Sequence, residues 1–188
     1  MSTLSDEKKA LRLQIRRQAQ ALSLEYFYTS SQNILKNLLS TSLWKEAHTV
    51  LVYLSIGTEP KTSLIIQSAW KSQKRVAIPR CLPGGMMEAR EIISLEGLTP
   101  KSFGILEPDI SSPLIEPEKL TLVVTPCVAM DEKLHRLGHG GGYYDRYLTK
   151  VHCPDICLCH EAFMLKSIPV EPWDKPVSMG ITGERIIS

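Results

Sequence analysis

The sequence predicts an α/β fold: a mainly parallel sheet flanked by helices, formed as one domain over residues 1–188. Three observations predict it. Helical periodicity alternates with short apolar runs along the chain, the order expected of a parallel sheet joined by helices. The run Val50 to Leu54 is apolar at consecutive positions, so both faces of that strand must be covered. A glycine-rich stretch at 138–142 sits between a strand pattern and a helical one, where ligands of such sheets usually bind. At 188 residues the chain can bury one substantial core, whereas two domains would each be small.

Leu4, Leu11, Ile15 and Leu22 fall in one narrow helical stripe, which predicts a first helix with that face on the core. Thr3 and Asp6 have capping-box spacing at its start, and Lys8, Arg12 and Arg16 line one flank at four-residue intervals. A second helix is expected from Glu25 to about Leu39, capped by Ser23, with Tyr26, Ile34, Leu35, Leu38 and Leu39 on its buried side. His48 to Ile56 reads as a strand and Thr62 to about Lys71 as a helix. Arg75 to Ile78 is a short strand, ended by Pro79. Between Pro83 and Pro117 a hairpin around Met87 to Leu95 is followed by a long connection. Leu120 to Ala129 is a strand interrupted late by Pro126, and Ile156 to Cys159 is a final short strand.

Hydrophobic residues make up 43% of the chain. Charged residues make up 22%. This balance excludes the disordered and fibrous classes. The formal charge is +2, yet residues 1–22 carry five basic and two acidic side chains, so the positive field belongs to the first helix. No apolar run is long enough for a membrane span, and the N-terminus has no secretory apolar stretch. Residues 5–22 are Arg-rich as a transit peptide would be, but Asp6 and Glu7 count against one, and a cytoplasmic location is expected. Five cysteines, Cys81, Cys127, Cys153, Cys157 and Cys159, without a CxxC pair, point to reduced thiols. Cys157 and Cys159 with His152, Cys153 and His160 match no common zinc spacing and read better as buried thiols.

The segment Arg136 to Leu148, Arg-Leu-Gly-His-Gly-Gly-Gly-Tyr-Tyr-Asp-Arg-Tyr-Leu, reads as strand, glycine loop and helix. Gly138, Gly140, Gly141 and Gly142 let backbone N–H groups approach an anion, and a helix N-terminus adds its dipole, so phosphate is the natural guest. It is neither a Walker A loop, lacking the Lys-Ser or Lys-Thr pair, nor a dinucleotide fingerprint, because Tyr143 stands at the third glycine position. On composition alone a flexible turn explains the glycines equally well.

These residues carry a resemblance. Arg136 to Arg146 resembles the signature of the 5-formyltetrahydrofolate cyclo-ligase family. The family's other motifs follow in order: the basic Lys8 to Arg12 with Ala21 to Ser23; Tyr53-Leu54-Ser55 with Glu59 and Thr62; Ile78-Pro79-Arg80; Phe103-Gly104-Ile105 with Glu107-Pro108; and Val124-Thr125-Pro126 to Asp131. The resemblance implies a Rossmann-like three-layer architecture, related to that of phosphosugar isomerases and CoA transferases. It implies ATP as co-substrate, Mg2+ as cofactor, 5-formyltetrahydrofolate as substrate, and neither nucleic acid nor membrane as partner. A monomer is the expected state.

It also implies roles for single residues. Lys8, Lys9 and Arg12 would meet ATP phosphates, with Arg80 and Arg136 as further nucleotide contacts. Gly138, His139, Gly140, Gly141, Gly142, Tyr143 and Tyr144 would complete the cradle. Leu54 and Glu59 would bind the folate, the latter accepting from the pterin amino group, beside His139, Gly140 to Gly142 and Tyr143. Asp145 and Asp174 would hold magnesium, and Arg136 and Asp145 would be catalytic. Taken by itself Asp145 is also a carboxylate favoured in a first helical turn, and Asp174 a turn acid near prolines. The tyrosines also fit core packing, and Arg80 a surface arginine.

The sequence departs from the family at Gly141, where some members carry Lys, and at Cys127, Met130 and Leu134, commonly Gly, Phe and Gly. These departures leave the loop conformation and the shape of the folate slot open. Two other readings remain: a phosphosugar-isomerase or CoA-transferase-like enzyme, and a nucleic-acid-binding module using the basic first helix.

Overall fold

Helix α1 (Leu4–Gln20) begins at the predicted reciprocal cap: Thr3 Oγ1 accepts from the Asp6 N–H and Asp6 accepts from the Thr3 N–H, both at 3.2 Å. The computed structural model describes residues 3–101 and 104–188, so Phe103 of the Phe-Gly-Ile motif lies outside the described residues. Ile15 is buried and Leu11 and Leu22 half-buried, but Leu4 is exposed, so the apolar stripe is shorter than its spacing predicts. Helix α2 (Leu24–Ser40) is capped by Ser23 as expected, and a short α3 (Ser42–Glu46), absent from the sequence reading, follows at once.

Strand β1 (Thr49–Val52) is shorter than the predicted run because the chain bends out after Val52, through Tyr53 to Pro60, into α4 (Thr62–Lys71). Strand β2 (Arg75–Leu82) passes through Pro79, contrary to the expected stop. The reason lies in pairing: β1 accompanies β2 only as far as Ala77, so at Pro79 the missing N–H costs no ladder bond on that side. The turn Pro83–Gly85 then leads into β3 (Met86–Ile92), so the hairpin is β2 with β3 and lies earlier than predicted. The connection carries three short strands, β4 (Thr99–Pro100), β5 (Leu106–Glu107) and β6 (Leu114–Ile115).

Strand β7 (Leu122–Thr125) ends at Pro126, and β8 (Ala129–Asp131) belongs to a second sheet with β9 (Arg136–Leu137). The single strand expected from Leu120 to Ala129 is therefore two, because Pro126 cannot donate to a ladder. After α5 (Tyr143–Leu148) come β10 (Asp155–Leu158), β11 (Met164–Leu165), β12 (Met179–Ile181) and β13 (Ile186–Ile187). The last three are too short to show period-two patterning.

The main sheet has order β13-β12-β10-β7-β1-β2-β3-β6, parallel from β12 through β2 and antiparallel at its edges. Alternation sends Val50, Val52, Leu122, Val124, Ile156 and Leu158 to one face, under α2 and α4. Leu51, Ala77 and Val123 point to the other, under Tyr147 of α5. This is the three-layer arrangement expected. A second core, beneath α1, packs Ile15 against Phe27, Met130, Leu137, Cys157 and Phe163. All five cysteines are free, and Cys127, Cys157 and Cys159 are buried.

Candidate active site

The backbone leaves β9 through Gly138 and turns into α5 at Gly142, whose φ of 66° is left-handed and free of strain only without a Cβ. Gly140, at φ 101°, lies against the Arg12 guanidinium: a Cβ there would come within 3.5 Å of Arg12 Cζ. Arg12 Nε donates to the Gly138 carbonyl at 2.7 Å, so the basic flank of α1 and the glycine loop meet directly across 126 positions of sequence.

Lys8, one helical turn before Arg12, reaches a second partner. Its Nζ donates to Glu171 Oε2 at 2.9 Å and to the Asp174 carboxylate. Burial disfavours the Lys8 ammonium, but its hydrogen bonds to Asp174 and Glu171 outweigh that and hold it above the ordinary lysine value. Burial likewise pushes Asp174 up, and the bonds from Lys8 and the Glu171 N–H, with the field of Arg136, bring it below the ordinary carboxylate value. Near neutral pH this is therefore an ammonium facing a carboxylate.

Arg136 on β9 is nearly buried, and its Nη2 donates to Asp145 Oδ1 at 2.7 Å. One guanidinium thus touches Asp145 and acts electrostatically on Asp174. Both acids offer hard oxygen donors, the chemistry that suits magnesium, which takes one or two protein carboxylates and completes its shell with phosphate oxygens and water. Among the described residues no group of three His, Cys, Asp or Glu side chains could cage a metal.

On the other side of the loop, His139 Nε2 lies 2.7 Å from Glu59 Oε1. Glu59 Oε2 accepts from the Ile56 N–H at 2.7 Å, so the carboxylate is oriented by its own turn. That turn is fastened twice. Thr62 Oγ1 accepts from the Ser55 N–H and Ser55 Oγ accepts from the Thr62 N–H, at 2.9 and 3.3 Å, which explains why both hydroxyls belong to the Tyr53-Leu54-Ser55 to Thr62 motif. His160, fully buried, donates from Nε2 to the Thr58 carbonyl at 3.0 Å and accepts at Nδ1 from Ser30 Oγ at 2.7 Å. Leu54 lies half-buried against the main core at the head of this turn.

Burial pushes His160 down to about 4, so it stays neutral while an unfolded histidine, near 6.5, takes up a proton. A depressed histidine value means stability is complete above the unfolded value and is lost as pH falls from there towards the folded one. Folding stability is expected to drop by about 2 kcal/mol between pH 7 and pH 5 from this group alone. Urea midpoints at the two pH values check it; a His160→Asn variant with the same pH slope would reject His160 as the cause.

The structure does not bring every expected residue to this place. Lys9 points outward on α1 and its charge acts on Asp6 instead. Arg80 is bound to Glu88 Oε1 at 3.1 Å across the β2–β3 hairpin, where Arg90 shares the same oxygen. Tyr143 is half-buried and lies 5.9 Å from the Arg146 guanidinium. The Tyr144 hydroxyl is buried without a hydrogen-bond partner, in the fields of Glu59 and Arg136. A buried donor left unmatched costs about 1–3 kcal/mol, and the Tyr147 hydroxyl of the same helix is unmatched in the same way.

Sequence reasoning missed three participants. Glu171 gave only the signal of an acid three residues before Asp174. Arg146 stands inside the glycine signature, but its work is visible only in space: Nε donates to the Gly85 carbonyl at 2.9 Å and Nη2 to the Gly141 carbonyl, tying the loop to the β2–β3 turn. His160 read as a possible metal ligand, whereas its two nitrogens serve Ser30 and Thr58.

The departures also find reasons. Lys in place of Gly141 would set a Cβ 2.8 Å from the Tyr143 ring, so glycine permits the ring to fold back here. Leu134 has φ 66°. That conformation costs a side-chain-bearing residue about 1–2 kcal/mol, so glycine suits this turn elsewhere. Met130 is fully buried and its side chain fills the space beside Gly180, while Cys127 Sγ donates to the Leu158 carbonyl at 3.3 Å.

Comparison with known proteins gives the same direction throughout. A profile of the 5-formyltetrahydrofolate cyclo-ligase family matches residues 4–183. A Schizosaccharomyces pombe protein described as "Probable 5-formyltetrahydrofolate cyclo-ligase" is 32% identical over 85% of this chain and 86% of its own. The Escherichia coli K12 5-formyltetrahydrofolate cyclo-ligase is 30% identical over 92% of this chain and 98% of its own. The solved Aquifex aeolicus 5,10-methenyltetrahydrofolate synthetase superposes with a TM-score of 0.84 at 27% identity, covering 96% of this chain and 91% of that one. These matches do not favour the isomerase, transferase or nucleic-acid readings. With the ordered motifs and the three-layer fold agreeing over nearly the whole length, this chain belongs to the 5-formyltetrahydrofolate cyclo-ligase family.

Proposed function

We propose that this chain, acting as one cytoplasmic domain and as a monomer, uses ATP and magnesium to convert 5-formyltetrahydrofolate into 5,10-methenyltetrahydrofolate, with release of ADP and phosphate. The observation that supports this reading best is the meeting of Arg12 with Gly138 and Gly140, on a loop whose His139 also contacts Glu59. A cationic helix, a glycine turn and an oriented carboxylate then surround one place, as a triphosphate next to a pterin requires.

In the reaction the formyl oxygen attacks the γ-phosphorus and the bond to ADP breaks. The lone pair of nitrogen 10 adds to the formyl carbon, the nitrogen 10 proton is lost to solvent, and the carbon–oxygen bond breaks to release phosphate. Such transfers depend on position and charge more than on a protein nucleophile. Lys8 and Arg12 carry the positive charge that meets the phosphates, and backbone N–H groups of the loop orient them. Arg136 holds Asp145, and Lys8 holds Asp174, in reach of the same region. Asp145 and Asp174 would hold magnesium, which would supply neutralisation of the phosphate charge. Glu59 accepts from the pterin amino group.

Purified protein mixed with 5-formyltetrahydrofolate, magnesium and ATP is expected to accumulate methenyl product by absorbance. No product with ATP present, or equal product without it, rejects the reading.

A further inference from the structure

The segment that carries Glu59 has left the sheet after Val52, so its backbone groups take partners from elsewhere. Two of those partners lead back to α2. Ser31 Oγ accepts from the Lys61 N–H at 3.2 Å, and Ser30 reaches Thr58 through the ring of His160. We propose that His160, held by Ser30, is a positioning residue for the folate: it fixes the peptide from which Glu59 presents its carboxylate. The inference rests on the reading of Glu59 as a pterin contact and adds to it what holds that carboxylate in place.

The peptide between Thr58 and Glu59 is the first argument. Its carbonyl accepts from His160 Nε2 at 3.0 Å, and its N–H donates to the Ile56 carbonyl at 3.1 Å. A peptide unit is planar, so a bond at each edge fixes its orientation and with it the direction in which the Glu59 side chain leaves. The carboxylate then makes its own bonds, to the Ile56 N–H and to His139. Of the two anchors on that plane, only His160 ties it to the body of the protein; the other lies within the turn itself.

The ring supplies the second argument. A carbonyl oxygen can only accept, so Nε2 carries the proton, Nδ1 is left to accept, and the Ser30 hydroxyl donates to it. An imidazole offers a donor and an acceptor on opposite edges of one flat ring, which is what bridging a hydroxyl and a carbonyl requires. The ring has little freedom to turn away. Phe27 and Phe163 meet it edge-on with centroids 5.1 and 6.0 Å distant, and Tyr26 lies at 5.9 Å.

Placement is the third argument. A polar ring sunk among aromatic side chains costs free energy unless its nitrogens are matched. Here both are matched, and the outer partner is the backbone of the exposed Thr58, next to Glu59, instead of a core group. The buried histidine thus joins α2 to the rim of the site across 130 and then 102 positions of sequence.

His160→Phe keeps a ring among Tyr26, Phe27 and Phe163 and removes both nitrogens. It is expected to raise KM for 5-formyltetrahydrofolate roughly 5- to 30-fold, the equivalent of one lost hydrogen bond, with KM for ATP within about twofold of wild type and little change in kcat. His160→Gln, whose amide can still donate to Thr58, recovers most of the folate affinity. In a Glu59→Ala background the rise shrinks to less than about twofold, because the effect acts through that carboxylate. Amide exchange gives a reading independent of turnover: residues 56–61 exchange faster in His160→Phe while β7 is unchanged. Should His160→Phe fail to fold, Ser30→Ala carries the same test, since it frees the ring at Nδ1 and is expected to raise KM for the folate about 2- to 5-fold. An unaltered KM for the folate in the folded variant, an equal rise in KM for ATP, the same rise in the Glu59→Ala background, or unchanged exchange over 56–61 overturns the positioning role. If the wild-type protein turns over with ATP and any of these contrary results is found, only the role of His160 fails; absence of ATP-dependent turnover in the wild type removes the function itself.

Discussion

Asp145→Asn lowers magnesium-dependent turnover by on the order of 10²–10³-fold, about 3–4 kcal/mol of transition-state stabilisation, while the protein remains folded. The substitution keeps shape and an oxygen that can still accept from Arg136, but removes the negative charge that a divalent ion requires. Asp145 is nearly half exposed. Its pair with Arg136 therefore contributes no more than about 1 kcal/mol, and the melting temperature moves by about 2–4 °C at most. A loss of turnover with an intact thermal transition thus separates a chemical role from a structural one. The loss should ease as magnesium is raised, since the weakened site then refills. Wild-type turnover in the variant would remove Asp145 from the mechanism and leave it as a helix-start acid.

Arg12→Ala raises KM for ATP by roughly 10- to 150-fold, the equivalent of about 1.5–3 kcal/mol for a charge-assisted hydrogen bond, with a smaller fall in kcat. Arg12 has two tasks that can be told apart. Its Nε holds the Gly138 carbonyl, and the rest of its guanidinium faces Gly140. Arg12→Lys restores the charge but not the fork, so it should recover part of the ATP affinity and leave the loop looser, seen as faster amide exchange over residues 138–142. If ATP dependence is unchanged in Arg12→Ala, the loop and the helix touch without sharing a nucleotide.

Several features could be read in advance because they are local. The Thr3–Asp6 cap, the Ser23 cap, the basic flank of α1 and the positive-φ turn before α5 all depend on residues within one or two helical turns of each other. The covered strands were legible for a similar reason: a run such as Val50 to Val52 has no solvent face to offer. Pro126 interrupts its strand as expected, whereas Pro79 does not stop β2. Proline forbids a donor, but whether a strand continues depends on whether a neighbour needs that donor. At Pro79 β1 has already ended, and at Pro126 the chain turns away to begin a second sheet.

By itself the sequence determined the family, the alternation of helices and covered strands, and the glycine turn, since each is a pattern of residue types at fixed spacing. The tertiary structure decided which charges meet. Lys8 reaches Glu171 and Asp174 from the far end of the chain, Arg12 reaches Gly138 across 126 positions, and Arg80, which carries the same charge, is turned instead to Glu88. Spacing cannot decide this because a salt bridge depends on distance in space, and a chain sets that distance only when its sheet has chosen an order and its helices have docked.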